Sequence, residues 1–392
     1  MMICAALADG TSVLKGISES EDMSATLDCL SALGAEYQRT GDEVTIRGIH
    51  LSGKENETET VFPCRESGST LRFFIPVALA VCGQGCFTGT KRLIERGIGI
   101  YEDLFAGQGI QVERSEDTIR IKGQLKAGRY QIRGDVSSQF VTGMLFALAM
   151  LEESSTLEVL PPVESRSYID ITIEVMKNFG VIVEEPSPNC FEIRGGQKFC
   201  AGNYRVEGDW SNAAFLYAFQ TLGNDLTITG LNPESIQGDR ICTEHLHALS
   251  GKTNGAADPL YGLHIDLSDT PDLGPVLFAA AAALRGGNFT GTRRLRIKES
   301  DRAAAMAQEL QKFGIQCLVG ENDVVVLHGM LKKPSAPLNG HNDHRIVMAL
   351  SVLLSLTGGV IEGAEAVRKS WPDFFETMTR HGLQVEWTET TL

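Results

Sequence analysis

Two short stretches concentrate the kind of charge that chemistry uses. The first is Arg-Ile-Lys-Glu-Ser-Asp-Arg, residues 296–302. Lys298 and Arg302 stand four residues apart, a spacing that on a helix brings both to one face, with Glu299 beside them. Its plainer role is a solvated, salt-bridged first turn. The second is Asn-Asp-His-Arg, residues 342–345, at the head of an Ala-rich run. Arg345 there suits a bidentate grip on a carboxylate or phosphate. His341 and His344 have a spacing that some metal sites use, but no cysteine or third histidine lies close in sequence, so the expectation is no metal. His245 and His247, in CTEHLHAL, read as structural.

Three more places carry polar groups suited to anions. Gly-Asp-Val-Ser-Ser-Gln, residues 134–139, offers Ser137, Ser138 and Gln139 where a helix should start. Hydroxyls and helix N–H groups together suit a phosphate. Ser165, in VESRSYIDIT, and Arg96, in IERG, lie in loops beside helices. Asp272, in DTPD, is a carboxylate at a helix start, and a plain N-cap is its simplest role.

These residues need elements to hold them, and the elements repeat. FTGTKRLIERGIGIYEDLFAGQGIQVERSEDTIRIKG, residues 87–123, nearly superimposes on FTGTRRLRIKESDRAAAMAQELQKFGIQCLVGENDVVVLHG, residues 289–329. Each runs strand, Gly-Thr turn, basic loop, amphipathic helix, glycine stop, two alternating strands. Fainter copies lie at 11–48, 155–194, 225–266 and 359–387. Ala-rich helices precede most of them: MICAALA, STLRFFIPVALAV, SSQFVTGMLFALAML, SNAAFLYAFQTL, PDLGPVLFAAAAL and HRIVMALSVLLSL. The pattern predicts an α/β protein of six helix–strand–helix–strand–strand units.

The whole composition fits two soluble domains. The chain has 392 residues, 43% hydrophobic and 22% charged, and its length suits two cores. No apolar run reaches the ~18 residues of a membrane span, and no basic, cleavable leader opens the chain. The nine scattered cysteines, with no CxxC, suggest reduced thiols and a cytoplasmic location. A formal net charge of −15 disfavours a nucleic-acid partner. It also means that anionic ligands must be met by positive charge gathered locally. The Ala-rich helices offer one device: ESGS, GDVSSQ, GDWSN, DTPD and HNDHR stand at their starts, and helix N-termini attract anions. Each cluster alone could be no more than a good N-cap.

Taken together, ESGSTLR (66–72), GDVSSQ (134–139), SRSYIDIT (165–172), GDWSNAAF (208–215), TPD (270–272), RIKESDR (296–302), NDHR (342–345) and KSWPDFF (369–375) resemble the enolpyruvyl transferases. Among them the match is to the 5-enolpyruvylshikimate-3-phosphate synthases (3-phosphoshikimate 1-carboxyvinyltransferases), and it covers essentially the whole chain. The resemblance implies two domains of three units each, at 1–204 and 205–392, around an interdomain cleft. It implies transfer of the enolpyruvyl group of phosphoenolpyruvate to the 5-hydroxyl of shikimate 3-phosphate, without cofactor or metal, by a monomer acting on small molecules. Ser137, Ser138, Gln139, Ser165, Asp272 and Lys298 would hold shikimate 3-phosphate. Gly68, Arg96, Gln139, Arg302, Arg345 and Lys369 would hold phosphoenolpyruvate. Asp272 would be the base, with Glu299 and Lys369 as rival proton donors.

The chain also departs from that family's pattern. Glu66 stands where an Asn is familiar, Gly97 where a Pro is, and Arg294 where some members carry an Asn. Gly68 keeps the small residue that leaves room for glyphosate, so sensitivity to it is expected. The family's first strand and its Lys-Ser-x-x-x-x-Arg loop, which would precede Met2, have no counterpart here. Either the start is misplaced or the chain is short, and a short chain would have weak catalysis and an unpaired sheet edge in its second domain. Two other functions compete: a ligand-binding scaffold without catalysis, and UDP-N-acetylglucosamine enolpyruvyl transferase. The latter relies on a loop cysteine that is missing from Lys91–Arg96.

Overall fold

The computed structural model describes residues 1–49, 59–251 and 263–388. The chain divides into two compact units, Met1–Val206 and Glu207–Leu392, each with its own apolar core.

The first unit holds three copies of one arrangement. Its opening copy is α1 (Met2–Leu7), β1 (Thr11–Lys15), α2 (Glu21–Leu33), β2 (Glu36–Thr40) and β3 (Glu43–Arg47). The second is β4 (Val61–Arg65), α3 (Gly68–Val81), β5 (Gln84–Gly89), α4 (Lys91–Glu95), α5 (Gly99–Phe105), β6 (Gln111–Arg114) and β7 (Thr118–Lys122). The third is β8 (Arg129–Arg133), α6 (Ser138–Leu148), β9 (Ser155–Leu160), α7 (Arg166–Asn178), β10 (Val183–Ser187) and β11 (Cys190–Ile193). A short strand, β12 (Asn203–Arg205), closes the unit.

Each copy builds a four-stranded sheet, ordered β12-β1-β3-β2, β4-β5-β7-β6 and β8-β9-β11-β10. The first two strands of each sheet are parallel and the rest antiparallel. Thus the repeat has one strand more than the sequence pattern implies: a strand before the Ala-rich helix, crossing over that helix to a parallel neighbour. In the opening copy the extra strand is β12, which pairs Val13 with Asn203 and Lys15 with Arg205.

Local chemistry sets the helix ends. Ser20 caps α2 through the Met23 N–H, and Gly34, at φ 105°, ends it in the left-handed conformation. Ser67 caps α3 and Ser137 caps α6. Helices α3 and α6 pack against each other in the core. Gly143 lets them approach, since a Cβ there would lie 2.5 Å from the Arg72 carbonyl oxygen.

The second unit is less regular. It contains α8 (Trp210–Thr221), α9 (Cys242–Leu249), β13 (Leu263–Asp266), α10 (Gly274–Ala283), β14 (Gly287–Thr290), α11 (Arg302–Lys312), β15 (Cys317–Val319) and β16 (Asp323–Val326). Then come β17 (Leu338–Asn339), α12 (His344–Thr357), β18 (Ile361–Glu362) and α13 (Phe374–Arg380). One full sheet, β13-β14-β16-β15, keeps the repeat order, and β17 pairs only with β18. The alternating run at 225–229 joins no strand ladder among the described residues, nor does 383–388. Part of the repeat expected at 225–266 lies outside the described residues. The core is an Ala-rich bundle in which α10 is buried over almost its whole length between α8, α11 and α12.

Candidate active site

In the second unit Lys298, Arg302 and Arg345 meet at one carboxylate, Asp272, while Glu299 and Lys369 bond elsewhere. Asp272 lies in a turn of 3₁₀ helix, Pro271–Leu273, just before α10, and its side chain caps neither. Its Oδ1 takes Lys298 Nζ at 3.0 Å and an Arg302 Nη at 2.8 Å. Its Oδ2 lies 3.3 Å from Arg345 Nη2. The plain N-cap role therefore does not apply: this carboxylate is spent on three cations.

Lys298 and Arg302 reach Asp272 by a different route from the one their spacing suggests. Lys298 is extended, directly after a 3₁₀ segment at Arg293–Ile297, and α11 begins only at Arg302. Asp301 sets that start by capping the Ala304 N–H at 3.0 Å. The two cations are not on one helical face; the loop folds Lys298 back towards Asp272. Nor is the stretch a solvated turn, because Arg302 is 1% exposed.

Arg302 is the hub. Besides Asp272 it donates to Glu299 at 2.6 Å and to both oxygens of Asp343, at 2.8 and 3.3 Å. Asp343 is fully buried and caps α12 through the Arg345 N–H at 3.0 Å, while Ser300 donates to its Oδ2. Arg345 also donates to the Ser211 hydroxyl at 3.0 Å and the Asp272 carbonyl at 3.4 Å. Lys369, buried, donates to the Asn342 carbonyl at 2.7 Å. Buried guanidinium groups need such resident carboxylates to offset the cost of leaving water.

The electrostatics follow from this packing. Burial alone would raise the Asp272 pKa, but Arg345, Lys298 and Arg302 overcome it and hold the carboxyl well below its usual range. Burial lowers the Lys298 pKa, with help from Arg302 and Arg294 and against the pull of Asp272. His344 is buried, its Nδ1 has no hydrogen-bond partner, and burial pulls its pKa down to about 4. His341 instead bonds Glu309, so the two histidines have separate roles.

The first unit assembles its residues differently. Gly68 opens α3, and Arg96 ends α4 with its guanidinium against that glycine. A Cβ at Gly68 would lie 3.1 Å from both Arg96 terminal nitrogens. Gly97, where Pro is familiar in the family, takes φ 71°, a value closed to proline. Ser137 accepts the Gln139 N–H, Ser138 is buried in the first turn of α6, and Gln139 Oε1 accepts from Arg72 at 2.6 Å. Arg72 lies over the Phe140 ring, 5.0 Å from its centre, and the Tyr101 hydroxyl sits 2.7 Å from the Arg72 carbonyl. Ser165 precedes α7, fully buried and left-handed at φ 56°. Arg166 beside it is clamped by Glu185, Asp170 and Asn189.

Sequence reasoning missed Arg72, Ser211 and Asp343 as members of these arrangements. All three lie inside the motifs quoted above, but their partners are distant in sequence, so spacing alone did not single them out.

A four-stranded sheet repeated three times in the first unit and present once in the second, with Ala-rich helices that start at polar clusters, fits a two-domain enolpyruvyl transferase fold. The enolpyruvyl transferase NikO from Streptomyces tendae matches it at a TM-score of 0.68 and 15% identity, over 97% of this chain and 91% of that one. The EPSP synthase of Acinetobacter baumannii matches at a TM-score of 0.74 and 26% identity, over 98% and 93%. The 3-phosphoshikimate 1-carboxyvinyltransferase of Clostridium kluyveri is 38% identical over an alignment of 401 positions, which covers 99% of this chain and 93% of that protein. The sequence profile of EPSP synthase (3-phosphoshikimate 1-carboxyvinyltransferase) matches residues 1–378, and the chain belongs to that family. No described helix is long and apolar enough to cross a membrane.

Proposed function

We propose that this chain transfers the enolpyruvyl group of phosphoenolpyruvate to the 5-hydroxyl of shikimate 3-phosphate and releases inorganic phosphate. Family membership supports the reaction. The convergence of Lys298, Arg302 and Arg345 on Asp272 carries the assignment of roles.

In this reading Ser137, Ser138, Gln139, Ser165 and Lys298 hold shikimate 3-phosphate. Gly68, Arg96, Gln139, Arg302, Arg345 and Lys369 hold phosphoenolpyruvate. A proton adds to the methylene carbon C3 of phosphoenolpyruvate while the 5-hydroxyl adds to C2 and gives up its own proton. The adduct then loses a C3 proton, the C2–O bond to phosphate breaks, and the double bond returns. Asp272 receives the hydroxyl proton. Paired with three cations it is a weak base, and ligand anions that draw on Arg345, Lys298 and Arg302 make it a stronger one. Lys369 is favoured as proton donor over Glu299, because Glu299 is committed to Arg302 at 2.6 Å. Nine free cysteines suit the reducing cytoplasm, and the reaction is assigned to a monomer.

Phosphate release tests the reading directly. It is expected only when both substrates are present, and Asp272→Ala should lower kcat by about 10²–10⁴. No release from the parent chain would overturn the reaction and leave at most a ligand-binding scaffold. Near-normal turnover in the variant would remove Asp272 from the role of base.

A further inference from the structure

The second unit contains a buried carboxylate that the mechanism does not use. Glu309, on α11, is fully buried. Its Oε1 takes His341 Nε2 at 2.9 Å. Its Oε2 takes the Asn339 N–H at 2.9 Å and Lys312 Nζ at 2.8 Å. Glu309 lies seven residues after Arg302, two turns along α11, so both face the same neighbouring segment. Arg302 holds the Asp343 end of the turn at 339–343, and Glu309 holds its beginning.

That turn is costly. His341 and Asn342 both have positive φ, at 51° and 50°. Residues with a Cβ avoid this conformation, and two in succession persist only where the surroundings enforce it. The His341 N–H bonds the Asn339 side-chain oxygen at 2.6 Å, and the Asp343 N–H bonds the Gly340 carbonyl at 2.9 Å. The outcome is functional geometry. The left-handed pair turns the Asn342 carbonyl onto Lys369 Nζ at 2.7 Å and delivers Asp343 to Arg302 and to the Arg345 N–H.

We propose that Glu309 and His341 are positioning residues. Their hydrogen bond latches the left-handed turn at 341–342 and thereby aims Lys369 and the Asp343–Arg302 pair. The proposal deepens the reading above and rests on it for the role of Lys369. Neither residue touches the reacting atoms.

The latch predicts a pattern that simple loss of packing does not. His341→Phe keeps a ring and removes the bond to Glu309. It should lower kcat about tenfold and raise KM for phosphoenolpyruvate as well, since the turn aims Lys369 and Arg302, both assigned to that substrate. Glu309→Gln puts an amide donor against His341 or against Asn339 and Lys312, and should lower kcat further. The deciding variant is Glu309→Gln combined with His341→Gly. Glycine adopts positive φ without strain, so the turn no longer needs its latch, and kcat should recover by at least about threefold over Glu309→Gln alone. A purely structural Glu309 would not be rescued by a glycine elsewhere. Unchanged kcat in His341→Phe, or no recovery in the double variant, overturns the proposal. If Glu309→Gln does not fold, His341→Phe decides. If the parent chain releases no phosphate, the reaction fails separately, and a crystal structure of His341→Phe decides the latch. Residues 341 and 342 leaving the left-handed region support it; an unchanged turn sinks it.

Discussion

The two units surround the arginines of their candidate sites differently. In the first, Arg96 leans on a bare glycine and Arg72 on an amide and a phenylalanine ring, among hydroxyls at helix starts. In the second, Arg302 alone meets Asp272, Glu299 and Asp343. The difference bears on how a chain of net charge −15 would meet the anions of the proposed reaction. Hydroxyls and helix N-termini, which the first unit brings to its candidate site, need no counter-charge. The second buries its guanidinium groups, and buried cations require resident anions. Its ligands would compete with Asp272 for those cations, which couples binding to the basicity of the proposed base.

The largest test removes a resident anion. Asp343→Ala leaves Arg302 buried with two carboxylates in place of three and strips α12 of its cap. Breaking a buried ion pair by deleting one partner costs roughly 3–5 kcal/mol. Denaturant unfolding should report a loss of that size. The matching change in the first unit, Ser137→Ala, removes only a cap and should cost about 1 kcal/mol. Equal losses would erase the contrast between the units.

The contrast has a pH signature too. His344 is pulled down to about 4 by burial, and the Arg345 and Arg302 charges act in the same direction. Below about 6.5 the unfolded chain takes up a proton that the folded chain refuses until about 4. This contribution to stability is therefore intact above pH 6.5 and lost as pH falls towards 4, by about 3 kcal/mol in full. Asp272 and Asp343 are both held below the ordinary aspartate value of 3.8, so their contributions last through this window and fade only in stronger acid. Denaturation at pH 7 and pH 4.5 should show a steeper fall for the parent than for His344→Leu. Parallel curves would mean that the histidine takes a proton inside the fold.

The legible parts of the molecule are those with local causes. Ser20, Ser67, Ser137, Asp209, Asp301 and Asp343 cap their helices as their types suggest, and Gly34 stops α2. The Ala-rich helices and alternating strands displayed the repeat. What stayed hidden depends on distant partners. Strand β12 pairs with β1 from nearly two hundred residues away, and only the ladder makes Asn203–Arg205 a strand. The run at 225–229 has strand-like alternation but no neighbour among the described residues. The spacing of Lys298 and Arg302 suggests a shared helical face, but Asp301 caps α11 after Lys298 and leaves the lysine in the extended segment before it. The network around Arg302 joins segments some seventy residues apart, and no single stretch displays it.

The smallest expected change in stability comes at the glycine beside Arg96. A Cβ at Gly68 would meet the Arg96 terminal nitrogens at 3.1 Å and the central carbon at 3.2 Å, closer than ordinary contact. The guanidinium is the far end of a flexible chain, so it can yield by a few tenths of an ångström. Backbone strain is not at issue, since Gly68 lacks the positive φ of the chain's left-handed glycines. Gly68→Ala should therefore leave unfolding within about 0.5 kcal/mol of the parent. It should still raise KM for phosphoenolpyruvate by about tenfold, because a displaced guanidinium no longer meets the anion squarely. No comparable nudge is available to Arg302, whose position is fixed by three carboxylates. If Gly68→Ala instead lowered stability as much as Asp343→Ala, Arg96 would be as tightly built into its unit as Arg302, and the two halves would hold their cations alike.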